Sequence, residues 1–255
     1  MSVEPGTINQ PLEQLKGLRF SEFLGRYSSQ GLSPDQILGV VYHVTTEPTY
    51  VGNLHELSVK GGIHLAVAGG LDPALAQIAR TEPDLTVLCD INLLATHVVH
   101  QRLRLLESAE TGKEYWEMFA SLLQEDPRIK FNSLDLPVTG GDVQLGGWSS
   151  DQYYPAVRLA WKKGSVKFIH SDISSDGLIT GMNISRDLSI PIRLIHLSNI
   201  FDYPANWPNR KIFKQVLAEG LRSGVIDPNA QIVMASIYNG MDIEVLSVEQ
   251  YLQRQ

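Results

Sequence analysis

The residue types that hold a nucleoside cluster in one stretch, IHLAVAGGLDPALAQIARTEPDLTVLCD, from Ile63 to Asp90. The apolar run Ile63 to Ala68 stops at Gly69 and Gly70, whose lack of a side chain permits positive φ and close approach of backbone to a ligand. Asp72 is suited to cap a helix and Pro73 to its first turn, where no N–H is needed. A second apolar run, Leu85 to Cys89, ends on Asp90, a carboxylate able to accept a pair of hydrogen bonds from ribose hydroxyls. The order is strand, glycine turn, helix, strand, acid, which reads as a nucleoside-cofactor half-site. As bland alternatives, Asp90 is a solvated turn carboxylate and the glycines simply turn the chain.

Two further strand ends carry polar residues. Val166 to His170 reads as a short strand followed by Ser171 and Asp172, with a helix cap as the alternative role for Asp172. Ile192 to Leu197 reads as another, followed by Ser198-Asn199-Ile200-Phe201-Asp202-Tyr203. Asn199 and Asp202 are candidates for orienting a reacting amine, or are turn residues bonding their own backbone. Tyr42, Tyr153 and Tyr203 can offer ring faces to a cation, although packing at the core rim is the commoner use of a tyrosine. The histidines show no H-x-x-x-H or comparable spacing, so no metal is expected.

The elements that position these residues follow from periodicity. Helical patterns cover Leu12 to Leu24, a segment from Ser33 to Val44, Asn92 to Glu107, Lys113 to Leu123, Tyr153 to Lys162 and Arg210 to Arg222. Ile232 to Ile237 and Ile243 to Leu246 suit a terminal hairpin. Strands separated by helices predict an α/β fold, a Rossmann-like, doubly wound, mostly parallel sheet with helices on both faces. Residues 1–60 read as an N-terminal helical cap or arm. Residues 61–255 read as the cofactor domain, with a glycine-rich insertion near 132–152 that carries Gly140, Gly141, Gly146 and Gly147.

Composition narrows the class. The 255 residues suffice for one large core, and 43% hydrophobic with 19% charged residues is ordinary for a globular chain. A formal net charge of −7 argues against a general nucleic-acid binder, so no nucleic-acid partner is expected. The single cysteine, Cys89, excludes an internal disulfide framework and, lying in an apolar strand, reads as a buried structural thiol. No apolar run reaches the roughly 18 residues of a membrane span, and the first residues do not form a signal peptide. A cytoplasmic protein acting on a small molecule is the expectation; a homodimer is compatible with the sequence but not chosen by it.

The set AVAGG (Ala66 to Gly70), Asp90 and HSDI (His170 to Ile173) resembles the class I S-adenosylmethionine-dependent methyltransferases. The resemblance covers about Ile63 to Ile237. It implies S-adenosylmethionine as cofactor, with Ala68, Gly69, Gly70 and Asp72 at the glycine turn. It further implies Asp90 and Ile91 at the ribose, Asp172 and Ile173 at the adenine, and Ser198 among the cofactor-binding residues, with Asn199 and Asp202 orienting an amine or the cofactor's methionine moiety. Asn199, Asp202, Tyr42 and Tyr203 would then be the catalytic or orienting residues. The family's glycine signature is E/D-x-G-x-G-x-G; here His64 stands in the early acidic place and glycines are fewer. LSNIFDY is not the Asn/Asp-Pro-Pro-Tyr of nitrogen methylators. It is more similar to the segment in enzymes that transfer the 3-amino-3-carboxypropyl arm, such as betaine-lipid and nicotianamine synthases. VVYHVTTEP and the Trp148 to Arg158 stretch add to that likeness. Methyl transfer to an O or N nucleophile is the leading expectation, and aminocarboxypropyl transfer or cyclisation the alternative. A non-catalytic cofactor-binding protein and an NAD-dependent oxidoreductase are the readings of other classes. Against the oxidoreductase, AGGLDPA lacks G-x-G-x-x-G, and Asp72 would set a negative charge beside a pyrophosphate.

Overall fold

The computed structural model describes residues 51–68, 71–90, 93–125, 147–198, 200–202, 207–235 and 243–254. The expected helices of the cap before residue 51, and most of the glycine-rich insertion, lie outside these residues. Six strands are described, β1 (Ile63–Val67), β2 (Leu85–Asp90), β3 (Val166–His170), β4 (Ile192–Ser198), β5 (Ile226–Ala235) and β6 (Ile243–Ser247). Seven α-helices accompany them, α1 (Asp72–Thr81), α2 (Leu93–Ser108), α3 (Gly112–Glu125), α4 (Tyr154–Lys162), α5 (Leu178–Leu188), α6 (Trp207–Arg222) and α7 (Val248–Gln253).

The strands form one sheet in the order β3-β2-β1-β4-β5-β6. All neighbours are parallel except the β5–β6 pair, which is antiparallel. Strands buried on both faces must be apolar throughout, and β1 (IHLAV) and β2 (LTVLCD) are buried along nearly their whole length. One core lies between the sheet and α1, α2 and α4 and includes Ala66, Leu88, Leu75, Leu103, Val157 and Trp148. The second, around Leu65, Val87, Ile195, Met182, Phe213 and Tyr251, is covered by α5, α6 and α7. This is the expected doubly wound α/β architecture.

Several boundaries differ from those read in the sequence. β5 begins at Ile226 because Asp227–Ala230 loop out as a bulge: Ile192 pairs with Ile226, but Leu194 already pairs with Gln231. Pro228 lies in this bulge, where its missing N–H costs no ladder bond. Helix α5, LITGMNISRDL, is weak in intrinsic propensity; burial of Leu178, Gly181, Met182 and Ser185 at helical spacing carries it. α7 follows a capping box, Ser247 with Gln250. Neither helix was expected from periodicity. Val51, Leu54, Leu57 and Val59 pack into the first core, so this end of the expected cap belongs to the sheet domain.

Candidate functional site

The chain winds away from the sheet centre in opposite directions after β1 and β4, so a crevice opens between their carboxyl ends. A non-glycine residue takes positive φ at the start of α1, Leu71 at φ 33, and another at the end of β4, Ser198 at φ 52. Such backbone is costly for a side chain bearing a Cβ and persists only where surrounding structure imposes it. Leu71 N–H donates to the Ala68 carbonyl at 3.0 Å. Leu71 then starts α1 by accepting from Leu75 N–H at 3.0 Å. Gly69 and Gly70 themselves lie outside the described residues.

The next two strand ends supply acids. Asp90 terminates β2, half-exposed and in register with His170 of β3. Asp172 follows β3 and caps a single π-type turn, Ile173–Gly177, its Oδ1 accepting from Ser174 N–H at 2.8 Å and Ser174 Oγ at 2.7 Å. One oxygen of Asp172 thus performs the capping role, and Oδ2 takes no hydrogen bond from the described residues. Gly177 is needed here: a Cβ on it would sit 2.8 Å from the Asp172 carbonyl oxygen. Asp90 and Asp172 both lie near Cys89, whose thiol pKa is raised first by burial and then by these two carboxylates. Cys89 is 1% exposed, an inert thiol as expected.

Asp72 corrects the sequence reading. It neither caps α1, whose N-cap is Leu71 without a side-chain bond, nor faces the crevice. Instead Arg102 of α2 donates to it from Nη1 at 2.9 Å and Nη2 at 2.6 Å, and Trp148 Nε1 donates at 3.2 Å. Asp72, Arg102 and Trp148 are each at most 1% exposed, so Asp72 is withdrawn as a direct cofactor ligand. Burial opposes the charge of Arg102, but Asp72 and Tyr115 outweigh it and hold the guanidinium pKa above its ordinary value. Arg102 Nε donates to Tyr115 Oη at 3.0 Å, and its Cζ lies 4.5 Å from the Phe119 ring centroid. Trp148 packs edge-on to Tyr115 at 5.0 Å, and Trp116 Nε1 donates to Ser149 Oγ at 3.0 Å. The far end of the glycine-rich stretch is therefore pinned to the first turn of α1. No sequence motif announced this pair, because Asp72 and Arg102 meet only when α1 and α2 pack on one face.

The same sheet face buries a second polar group. His64 and Thr86 stand in register on β1 and β2, with Gln77 above them on α1, and all are at most 1% exposed. Both His64 ring nitrogens, both Gln77 amide atoms and Thr86 Oγ1 are buried without a bond of hydrogen-bonding geometry. Gln77 lies near enough to favour the charged form of His64, but burial first, and His196 second, lower its pKa to about 3. His64 is neutral at physiological pH and faces the core, not the crevice.

Other expected site residues fall as follows. Ala68 is buried in the first core, and Ser198 closes β4 with 8% exposure. The Ile173 side chain is packed in the second core, so only its backbone borders the crevice. Asp202 ends the 3-10 turn Ile200–Asp202. Tyr153 packs against the first core, the bland use of that ring. Tyr42, Ile91, Asn199 and Tyr203 lie outside the described residues. Among the described residues no group of three or more His, Cys, Asp or Glu could hold a metal ion, and no helix is long and apolar enough to cross a membrane.

No protein-family model and no curated protein matches the chain. Among solved structures it is similar to the rRNA methyltransferase aviRa from Streptomyces viridochromogenes, at 13% identity and a TM-score of 0.36, over 79% of this chain and 80% of that one. At that level of superposition, the fold assignment stands on the sheet order itself. The expectation that excluded nucleic acid as a partner is withdrawn, the neighbour being named as an rRNA methyltransferase. That expectation rested on net charge, a sum over the whole chain that does not govern any one surface. The described sheet, order β3-β2-β1-β4-β5-β6 with only the β5–β6 pair antiparallel, is Rossmann-like.

Proposed function

We propose that the protein is an S-adenosylmethionine-dependent transferase, moving a methyl group to an oxygen or nitrogen nucleophile. The observation that carries this reading is that Asp90 and Asp172 stand at the carboxyl ends of neighbouring strands, with β1 next in the sheet. In this reading Asp90 accepts from the ribose hydroxyls, and Asp172 Oδ2 accepts from an adenine amine while Oδ1 holds its own turn. Gly69 and Gly70 are the positions proposed to let the backbone approach the cofactor, and Ser198, at the end of β4, is proposed to border it. A bound S-adenosylmethionine supplies a methyl group already activated by its sulfonium. The protein's work is then to orient the acceptor and keep water away, and Asn199, Asp202, Tyr42 and Tyr203 are the residues proposed for orientation.

LSNIFDY keeps aminocarboxypropyl transfer as the competing outcome at the same site. For a dinucleotide, the buried Asp72–Arg102 pair neutralises the charge that spoke against a pyrophosphate, so NAD belongs in the test. Purified protein is titrated calorimetrically with S-adenosylmethionine and with NAD. It is then incubated with S-adenosylmethionine, alone and with RNA or small-molecule amines and alcohols, and the products are read by mass spectrometry. S-adenosylhomocysteine above the protein-free control is the expected product. Methylthioadenosine would move the reading to attack at the aminocarboxypropyl carbon. Binding of NAD without S-adenosylmethionine would overturn both.

A further inference from the structure

Helix α6 follows β4 and starts at the carboxyl edge of the sheet. Its first turns read WPNRKIFK, placing Arg210, Lys211 and Lys214 within little more than one turn. Asn209 Nδ2 donates to Ser174 Oγ at 3.3 Å, and that hydroxyl donates to Asp172 Oδ1, so the residue just before these cations is tied to the turn of the proposed adenine-side carboxylate. Among the described residues none of the three has a carboxylate partner. The nearby Arg254 is paired with Glu244 and offers its carbonyl to Lys214 Nζ. Lys214 Nζ also lies 5.5 Å from the Tyr251 ring centroid, and Arg210 Nε is buried without a hydrogen-bond partner. Crowding adds to this: the Lys214 pKa is lowered by burial first, then by Arg210 and Arg254. In a chain of net charge −7, three unmatched cations at the positive end of a helix form a local anion-attracting surface.

We propose that the Arg210, Lys211 and Lys214 face of α6 docks the phosphate backbone of a single-stranded nucleic-acid acceptor. Arg210 and Lys214 lie about 6 Å apart along the helix axis, a row of charge longer than one phosphate. A single strand fits better than a duplex, because an acceptor atom inside a base stack cannot reach into the crevice. As the docking face of the acceptor this inference rests on the transferase reading, but the binding measurement that tests it does not.

The probe is a short fluorescent single-stranded RNA, its affinity measured by anisotropy across a salt series. Wild type, Lys211→Gln and the double variant Arg210→Gln/Lys214→Gln are compared. The expected result is salt-dependent binding whose log–log slope shrinks by about 0.7 for each cation removed. Lys211 is exposed, so its variant keeps the test valid if the double variant fails to fold. S-adenosylmethionine binding on the same samples reports separately on the cofactor reading. No RNA binding by the wild type, or a slope that both variants leave unchanged, would overturn the docking face.

Discussion

At the scale of single residues, two side chains allow direct tests. Asp90 is partly buried at a strand end, and its removal deletes the charge-assisted hydrogen bonds proposed to a ribose. At about 1.5–3 kcal/mol for such bonds, Asp90→Ala should weaken S-adenosylmethionine binding by about 10- to 100-fold, read by calorimetry on samples shown by thermal unfolding to be folded. His64 tests burial. Its folded pKa of about 3 lies below the ordinary histidine value of 6.5, so the unfolded chain binds a proton that the folded chain refuses. Stability from this group is complete above pH 6.5 and is lost as pH falls, by about 1.4 kcal/mol per unit until pH nears 3. Denaturant midpoints measured down this range should fall more steeply for the wild type than for His64→Phe.

At the scale of elements, the Asp72–Arg102–Trp148 cluster joins α1, α2 and the segment that enters α4. Gly112 opens α3 against this segment, where a Cβ would fall 1.7 Å from the Ser149 carbonyl oxygen. Removing one member of a buried ion pair leaves an uncompensated charge, whereas removing both can cost little. Arg102→Met should therefore lose about 3–5 kcal/mol of unfolding free energy, and Asp72→Leu/Arg102→Met should recover most of it. If the cluster also holds the start of α1 at Leu71, the recovered double variant should still bind S-adenosylmethionine more weakly than wild type. A denaturation series with parallel calorimetry separates these effects.

At the scale of the whole molecule, one sheet carries both cores, so neither face can unfold while the other stays packed. Thermal unfolding followed by tryptophan fluorescence and by circular dichroism should give coincident single transitions. A ligand that binds only the folded sheet edge raises stability by mass action. S-adenosylmethionine at 100 times its dissociation constant should add about 2.7 kcal/mol, and NAD should add nothing. Equal stabilisation by both nucleotides would count against the transferase reading.

The residues that make this fold were legible where local rules act alone. The buried runs of β1, β2 and β4, the acid closing β2 and the periodicity of α2, α3, α4 and α6 follow from burial and spacing within one segment. The cap made by Asp172 was legible, because capping depends only on neighbours in the chain. Packing between segments decided the rest. Asp72 looked like a cap until α2 brought Arg102 within 2.6 Å, and helix α5 exists because the sheet buries its weak sequence. The cations of α6 are diluted in the net charge and come together as one cluster only when the helix forms, with Arg254 beside Lys214 and Asn209 bonded to Ser174. Local propensity and hydrophobic period are properties of a segment, whereas ion pairing and the field at a surface depend on distances between segments that only the folded chain defines.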